Sequence, residues 1–439
     1  MTFVQHPEVA QRFTELHPPF HAQAALVEAN RCLYCFDAPC TVACPTHIDV
    51  PKFIKKIATD NLRGSAATIL ESNVLGASCA RVCPVDVLCE GACVMHLYNK
   101  QPIEIGRLQR FAMDDFHDHG SKVPWKSQRE KPQRVACIGA GPASLACAAE
   151  LRRHGFQVTI YDARPLPGGL NTFGVAEYKL RAGDSLREVD FIRSLGVNFR
   201  FGVTIGSDLE QLESAYDIIF VAVGLGATRP LNIPGEELEG VVDALTFIAQ
   251  YKTGQPIPVG RRVAVIGAGN TAIDAANAAR RLGAEEVHLL YRRGVQQMSA
   301  FPFEFEHAKQ EGIQFHWWTQ PVGIAARPGE HHVAAIECVR TQLMDSQSIP
   351  LDGSNFAIPC DLFIRAIGQT PLVDLLARCR GVSLREGCLV VDRETGQTGN
   401  PKYYAGGDCV NGGREVVDAV ADGKRAGAAI ARALDSQNG

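Results

Sequence analysis

The sequence has no apolar run approaching the roughly 20 residues needed to cross a bilayer, which argues against a membrane-spanning helix. It has no basic block, and 44 Lys and Arg against 48 Asp and Glu leave a formal net charge of −4. That balance excludes the electrostatic footprint of a nucleic-acid-binding protein. The opening stretch, MTFVQHPEVAQRFTELHPPF, lacks both a basic leader and an apolar core, so no secretory signal is expected and a cytoplasmic location is implied. Cysteine, by contrast, is plentiful: fifteen in 439 residues, eight of them within the first hundred. In a reducing compartment, clustered thiols hold metal or do redox chemistry more often than they form structural disulfides.

Those eight fall in two runs. The first is Cys32-Leu-Tyr-Cys35-Phe-Asp-Ala-Pro-Cys40-Thr-Val-Ala-Cys44-Pro45; the second comprises Cys79, Cys83, Cys89 and Cys93. Structural zinc is a rival, because Cys32 and Cys35 form a CxxC pair. Iron–sulfur binding is favoured by the density of thiols and by the repeated Cys-Pro at Cys44-Pro45 and Cys83-Pro84, although the spacing departs from the bacterial ferredoxin run. The other seven cysteines, Cys137 and Cys147 among them, read as small buried apolar residues. Around the runs, residues 1–30 are expected to be mostly helical, Val50–Asn73 to form two helices interrupted at Gly64, and Ile103–Phe116 another amphipathic helix. Polar SKVPWKSQREKPQ then reads as a linker. The head is poor in large apolar residues, and metal binding would add directly to its folding energy.

Beyond the linker the pattern changes to strand, glycine turn, helix, strand. Val135–Ile138 leads into Gly139-Ala-Gly141-Pro-Ala-Ser144, then a helix closed by Gly155, then a strand ending at Asp162. Gly139 permits the tight turn, Gly141 lets the backbone approach a pyrophosphate at the helix N-terminus, and Asp162 is placed for a ribose hydroxyl. A second copy carries Gly267, Gly269 and Ala272, but its following strand closes on Arg292 and Arg293, which favours a 2′-phosphate. Two apolar strands end in glycine at Gly224 and Gly368, and Tyr403-Tyr-Ala-Gly406-Gly407-Asp408 precedes a last helix over about 415–434. A flavin unit begun at residue 134 is therefore expected to be completed by the C-terminal piece, with a nicotinamide unit inserted. His288, His307, His331 and His332 carry no clear role, and Trp317 and Trp318 read as packing.

The expected fold is α/β: an all-α iron–sulfur head over 1–128, a flavin domain over 129–230 and 369–439, and a nicotinamide domain over 231–368. A nicotinamide delivers two electrons as hydride, a flavin can release them singly, and iron–sulfur centres take one each. No domain for an organic substrate follows the last helix, so the electrons are expected to leave to another polypeptide.

These motifs resemble the N-terminal portion of dihydropyrimidine dehydrogenase, in particular the flavin and iron–sulfur subunit of the bacterial two-subunit enzyme, from Cys32 to the final helix. The resemblance implies two [4Fe-4S] clusters, one on Cys32, Cys35, Cys40 and Cys93, the other on Cys44, Cys83, Cys89 and Gln109, with Cys79 unligated. It implies FAD at Gly139, Gly141, Ser144, Asp162, Gly168, Gly169, Leu170, Lys179, Ile205, Gly368, Gly407 and Asp408. NADH or NADPH would use Gly267, Gly269, Asn270, Thr271, Arg292, Arg293 and Ala366–Gly368. Ser299 stands where the single-chain enzyme has an arginine for NADPH, and the bacterial members are regarded as NADH-linked, so the nucleotide stays open. The implied activity is electron input to an FMN-containing partner that reduces uracil or thymine, in a hetero-oligomer. The small subunit of glutamate synthase has the same architecture, typically with glutamate at the position of Gln109. A zinc-stabilised flavin-binding scaffold that passes no electrons is the alternative of another class.

Overall fold

The computed structural model describes residues 7–120, 123–125, 128–206 and 208–436, and the chain forms two compact units. The first six residues, and Ser121, Lys122, Lys126 and Ser127 of the expected linker, lie outside the described residues.

One unit comprises Leu16–Thr172, Gly183–Leu225 and Pro371–Gly439. Its head is helical, with Ala22–Asn30, Pro39–Ala43, Val50–Ala58, Leu62–Ser72, Gly76–Val82 and Ile105–Asp118. Asp49 caps Val50–Ala58 by accepting the Lys52 N–H at 3.1 Å, and Phe53, Ile54 and Ile57 fall on its buried face. The break between the next two helices is not at Gly64 as the sequence led us to expect. It lies at 59–61, where Asp60 adopts a left-handed φ of 58° and Asn61 accepts the Gly64 N–H at 2.9 Å. Gly64 therefore sits in the first turn of the second helix. Phe53, Ile54, Ile57, Ile69, Leu70, Leu108, Met113 and Phe116 pack into one buried cluster, so the head has a larger core of its own than its composition implies.

The head joins a five-stranded parallel sheet in the order Tyr403–Ala405, Ile218–Val221, Arg134–Ile138, Gln157–Asp162, Asn198–Phe201. The C-terminal strand pairs Tyr403 with Ile219, so the sheet begun at residue 134 is closed by the far end of the chain. Its central strand is buried on both faces, as parallel sheets require. The last helix, Val416–Ser436, lies against Pro142–Arg153 so closely that a Cβ at Gly423 would meet the Ala143 carbonyl oxygen at 2.0 Å.

The other unit comprises Met1–Glu15, Phe173–Ala182 and Gly226–Thr370. Its parallel sheet runs Val241–Asp243, Leu362–Arg365, Arg262–Ile266, Glu286–Tyr291, Gln314–Trp317. An antiparallel group, Thr319–Ala326, Val333–Met344, Gln347–Pro350 and Phe356–Pro359, accompanies it and was not anticipated. The tight turn at Asp345-Ser346, both at positive φ, sets the register of the hairpin. Trp317 stacks on Phe315 with ring centroids 5.3 Å apart, a packing role as expected. Residues 173–182 belong here because the buried Lys252 Nζ donates to the carbonyls of Val175 (2.7 Å) and Leu180 (2.8 Å). The α/β class, with a helical head and two nested doubly wound units, is thus what forms.

Within the first unit, one buried carboxylate ties the head to the flavin sheet's helices. Glu188, fully buried, accepts the N–H groups of Ala77 (2.8 Å) and Ser78 (3.1 Å) and the Ser78 hydroxyl. Beside it Arg81 holds Asp114 at 2.6 Å and Asp184 at 3.5 Å. Burial pushes the Glu188 carboxyl from its ordinary 4.5 up to about 7, against the pull of its donors and of Arg81. Between those two values the folded chain binds a proton that the unfolded chain has lost, so stability falls as pH rises through the window. We predict that wild-type protein loses up to about 3 kcal/mol between roughly pH 4.5 and 7 relative to Glu188→Gln. Urea unfolding of both across that range checks it, and parallel curves would contradict it.

Candidate cofactor sites

Cys32, Cys35, Cys40 and Cys93 line one cavity of the head, walled by Pro39, Val50, Ile54, Met95 and Ile103. Cys32 follows directly on Ala22–Asn30, and the chain doubles back at Tyr34, whose φ of 52° is left-handed and whose hydroxyl donates to the Ala29 carbonyl at 3.0 Å. Burial raises the Cys32 thiol, with Cys35 and Cys93 adding, and pushes Cys40 up to about 12, with Cys32 and Cys93 adding. Cys32 and Cys40 are thus disfavoured as thiolates, and positive charge among the sulfurs would reverse that. Among the described residues no three His, Cys, Asp or Glu side chains converge on a single-ion site. The sulfurs surround a space, which fits a cluster.

The second cavity is lined by Cys44, Cys79, Cys83, Cys89 and Gln109, together with Pro45, Ile48 and Val417. The two runs therefore interleave: Cys93 joins the first three cysteines of the first run, and Cys44 joins the second. Gln109 is buried on Ile105–Asp118, and its Nε2 donates to the Gly76 carbonyl at 2.7 Å, leaving Oε1 as the acceptor the amide still has to offer. Val417 comes from the last helix, which follows the short helix Asp408–Asn411 capped by Gly407.

The first glycine turn is built by close approach. Gly139 has φ 96°, and a Cβ there would lie 2.3 Å from the Ala222 carbonyl oxygen. Asp162 accepts the Ala140 N–H at 2.6 Å and the Arg164 N–H at 2.7 Å, so its carboxylate first pins the turn. Gly168 donates to the Ala140 carbonyl at 2.8 Å, and Gly169 faces the Gly141 Cα. Ser144 is fully buried in the helix, its hydroxyl without a protein partner. A bare helix N-terminus with an orphaned hydroxyl fits a diphosphate. In the same unit Leu170 starts a short helix, Ile205 packs in the core with Leu209 and Ile219, and Gly407 donates to Asp422 at 3.0 Å. Burial raises the Asp408 carboxyl, with Asp422 and Asp418 adding.

The second turn repeats the device. Gly267 has φ 139°, and a Cβ there would lie 2.2 Å from the Ala366 carbonyl oxygen. Gly269 precedes Asn270–Arg281, whose first turn holds Thr271, and Asn270 Oδ1 accepts the Phe301 N–H at 3.1 Å. Ser299 donates its N–H to the Ala268 carbonyl at 3.2 Å, folding its segment over the turn. Arg292 is exposed at the strand end, while the Nε of Arg293 is buried without a hydrogen-bond partner. Gly368, at φ 89°, accepts the Arg229 N–H at 2.9 Å. Lys179 also lies in this unit, its buried Nζ held by Asp274 at 2.6 Å and Glu304 at 2.7 Å. Those carboxylates, like Glu188 and Val417, gave no signal in the sequence, because each acts through a partner far along the chain.

Residues 9–121 match the family of dihydropyrimidine dehydrogenase domain II, 4Fe-4S cluster, and residues 133–423 match pyridine nucleotide-disulphide oxidoreductase. The chain is 35% identical over 453 residues to the glutamate synthase [NADPH] small chain of Halomonas elongata, covering 97% of this chain and 94% of that protein. It is 32% identical over 446 residues to the corresponding Escherichia coli protein, covering 96% and 94%. The NADPH-Fe(3+) oxidoreductase subunit beta of Geobacter sulfurreducens is 33% identical over 441 residues, covering 91% of this chain and 64% of that one. In fold, the chain resembles FprA of Mycobacterium tuberculosis (TM-score 0.55, 21% identity, 70% of this chain and 86% of that one). It likewise resembles thioredoxin reductase of T. acidophilum (TM-score 0.54, 19% identity, 69% and 100%). Among the described residues no helix is long and apolar enough to cross a membrane. The chain is an NAD(P)H-using oxidoreductase with FAD and 4Fe-4S centres, and it belongs to the pyridine nucleotide-disulphide oxidoreductases that carry an N-terminal 4Fe-4S domain, alongside the glutamate synthase small chains.

Proposed function

We propose that this chain is the NADPH-oxidising, electron-input subunit of a hetero-oligomeric enzyme of the glutamate synthase type. The observation that carries the reading is Val417: the last helix, which packs on Pro142–Arg153 behind the first glycine turn, also lines the second thiol cavity, so flavin turn and head share one element. Gly139, Gly141, Ser144, Asp162, Gly169, Gly407 and Asp408 would hold FAD, and Gly267, Gly269, Thr271, Arg292 and Arg293 the nucleotide. Cys32, Cys35, Cys40 and Cys93 would hold one cluster, and Cys44, Cys83, Cys89 and Gln109 the other. Bound together, these groups supply conversion of a two-electron hydride into single electrons. The protein's part is placement: turns that bring backbone N–H groups to the phosphates, and buried sulfurs kept from water. No side chain need act as general acid or base. The guanidinium of Arg293, with its buried and unpartnered Nε, and the exposed Arg292 beside it supply donors for a 2′-phosphate, in keeping with the NADPH named for the relatives.

A second reading keeps the partner as an FMN-containing dihydropyrimidine dehydrogenase subunit. Gln109, rather than glutamate, favours it, as does the family matched by the head.

Replacing Arg292 and Arg293 together by Ala is expected to raise KM for NADPH by an order of magnitude or more, and KM for NADH by less than about twofold. Steady-state kinetics with an artificial acceptor would show it, and equal effects on both would remove the 2′-phosphate role. The native protein is expected to copurify with a larger flavoprotein having glutamate synthase activity. Uracil reduction by the copurified complex would instead select the second reading.

A further inference from the structure

The second cavity offers five donors where a [4Fe-4S] cluster needs four. Cys79 lines it together with Cys44, Cys83, Cys89 and Gln109, and is itself buried. It precedes Cys83 by one helical turn, the Cys83 N–H donating to the Cys79 carbonyl at 3.0 Å, so both sulfurs lie on one face. Cys44 and Cys89 line the same cavity from outside that helix. Four thiols thus stand around this cavity as they do around the first. Gln109 is anchored from the same helix: the carbonyl that receives its amide belongs to Gly76, the first residue of Gly76–Val82. A shift of that helix bears on the glutamine and on Cys79 together.

We propose that Cys79 is a reserve ligand of the second cluster, a thiol that takes the iron left by Gln109 when the amide oxygen is withdrawn. The inference rests on the reading that this cavity holds a cluster through Cys44, Cys83, Cys89 and Gln109. In the exchange the iron–oxygen bond to the amide breaks, an iron–sulfur bond to Cys79 forms, and the thiol proton passes to water, with no change in electron count. The neutral amide is replaced by a thiolate, so the cluster gains negative charge and becomes harder to reduce. The arrangement gives the site two ligation states of different potential without dismantling it.

The test uses the full-length holoprotein and reads iron, FAD and EPR rather than turnover. Wild type and Cys79→Ala should each hold about eight irons per chain, as two [4Fe-4S] clusters require. Gln109→Ala should also keep about eight, with a shifted EPR signal and a lower potential for one cluster. The double variant Gln109→Ala with Cys79→Ala should fall to about four irons, or to about seven with a three-iron EPR signal, at unchanged FAD. The proposal is overturned if Gln109→Ala alone falls to about four irons, or if its oxidised form shows a three-iron EPR signal while FAD is retained. It is equally overturned if Cys79→Ala alone loses a cluster, which would make Cys79 an ordinary ligand. Should the double variant lose FAD together with iron, showing that it does not fold, the presence or absence of the three-iron signal in Gln109→Ala decides. Wild-type protein with about four irons or fewer would instead refute the underlying two-cluster reading.

Discussion

Desolvated sulfur governs the head. Cys32, Cys40, Cys83 and Cys89 are all pushed away from the thiolate state, chiefly by burial at Cys32, Cys40 and Cys89 and by the neighbouring Cys79 thiol at Cys83. Left as neutral thiols they pack like any small apolar side chain. Positive charge at the centre of each group would favour the thiolates that burial and the neighbouring sulfurs disfavour, and the net energy of binding it would be part of the folding energy. The apolar cluster around Phe53, Ile69 and Leu108 supplies the rest. Helix placement in the head therefore answers to two demands at once, burying that cluster and presenting sulfur to the two cavities.

The two nucleotide units answer to a different constraint, the approach of one backbone to another. Gly139 sits against the Ala222 carbonyl and Gly267 against the Ala366 carbonyl at nearly the same distance, both at positive φ. In each unit the residue touched follows the strand paired with the glycine strand, so the turn is moulded by its own sheet. This geometry is local in mechanism but not in sequence. Ala222 and Ala366 lie more than eighty residues from the glycines they crowd.

That distinction decides what could be read from the sequence. The glycine turns and their helices were legible because strand, turn and helix are contiguous, and the split flavin unit followed from the glycine-ended strands at 217–224 and 403–407. The break at Asp60 was misplaced because a left-handed aspartate leaves less trace than a glycine. The antiparallel strands over 319–359 were missed because their pairing depends on a turn of Asp345 and Ser346, neither a strong turn dipeptide. The grouping of cysteines came only through family resemblance, since no spacing shows that Cys93 belongs with Cys32. Lys179 shows the same limit: its Nζ is bound by Asp274 and Glu304, nearly a hundred and more residues away.

The last helix draws these constraints together within its unit. Val417 walls the second cavity, Gly423 lets the helix lie against the Ala143 carbonyl, and Lys424 donates to the carbonyls of Glu71 (2.9 Å) and Ser72 (3.2 Å) at the end of Leu62–Ser72. A cation at a helix C-terminus is favoured by the dipole as well as by the hydrogen bonds. Sliding the helix would therefore break three kinds of contact at once: a cavity wall, a backbone approach with no room for a methyl, and a charged cap. Because it packs on Pro142–Arg153, which starts at the first glycine turn, any change of register would disturb the flavin turn and the thiol cavity in the same motion. Within this unit the last helix thus joins the Glu188 contacts in fixing the head against the flavin sheet.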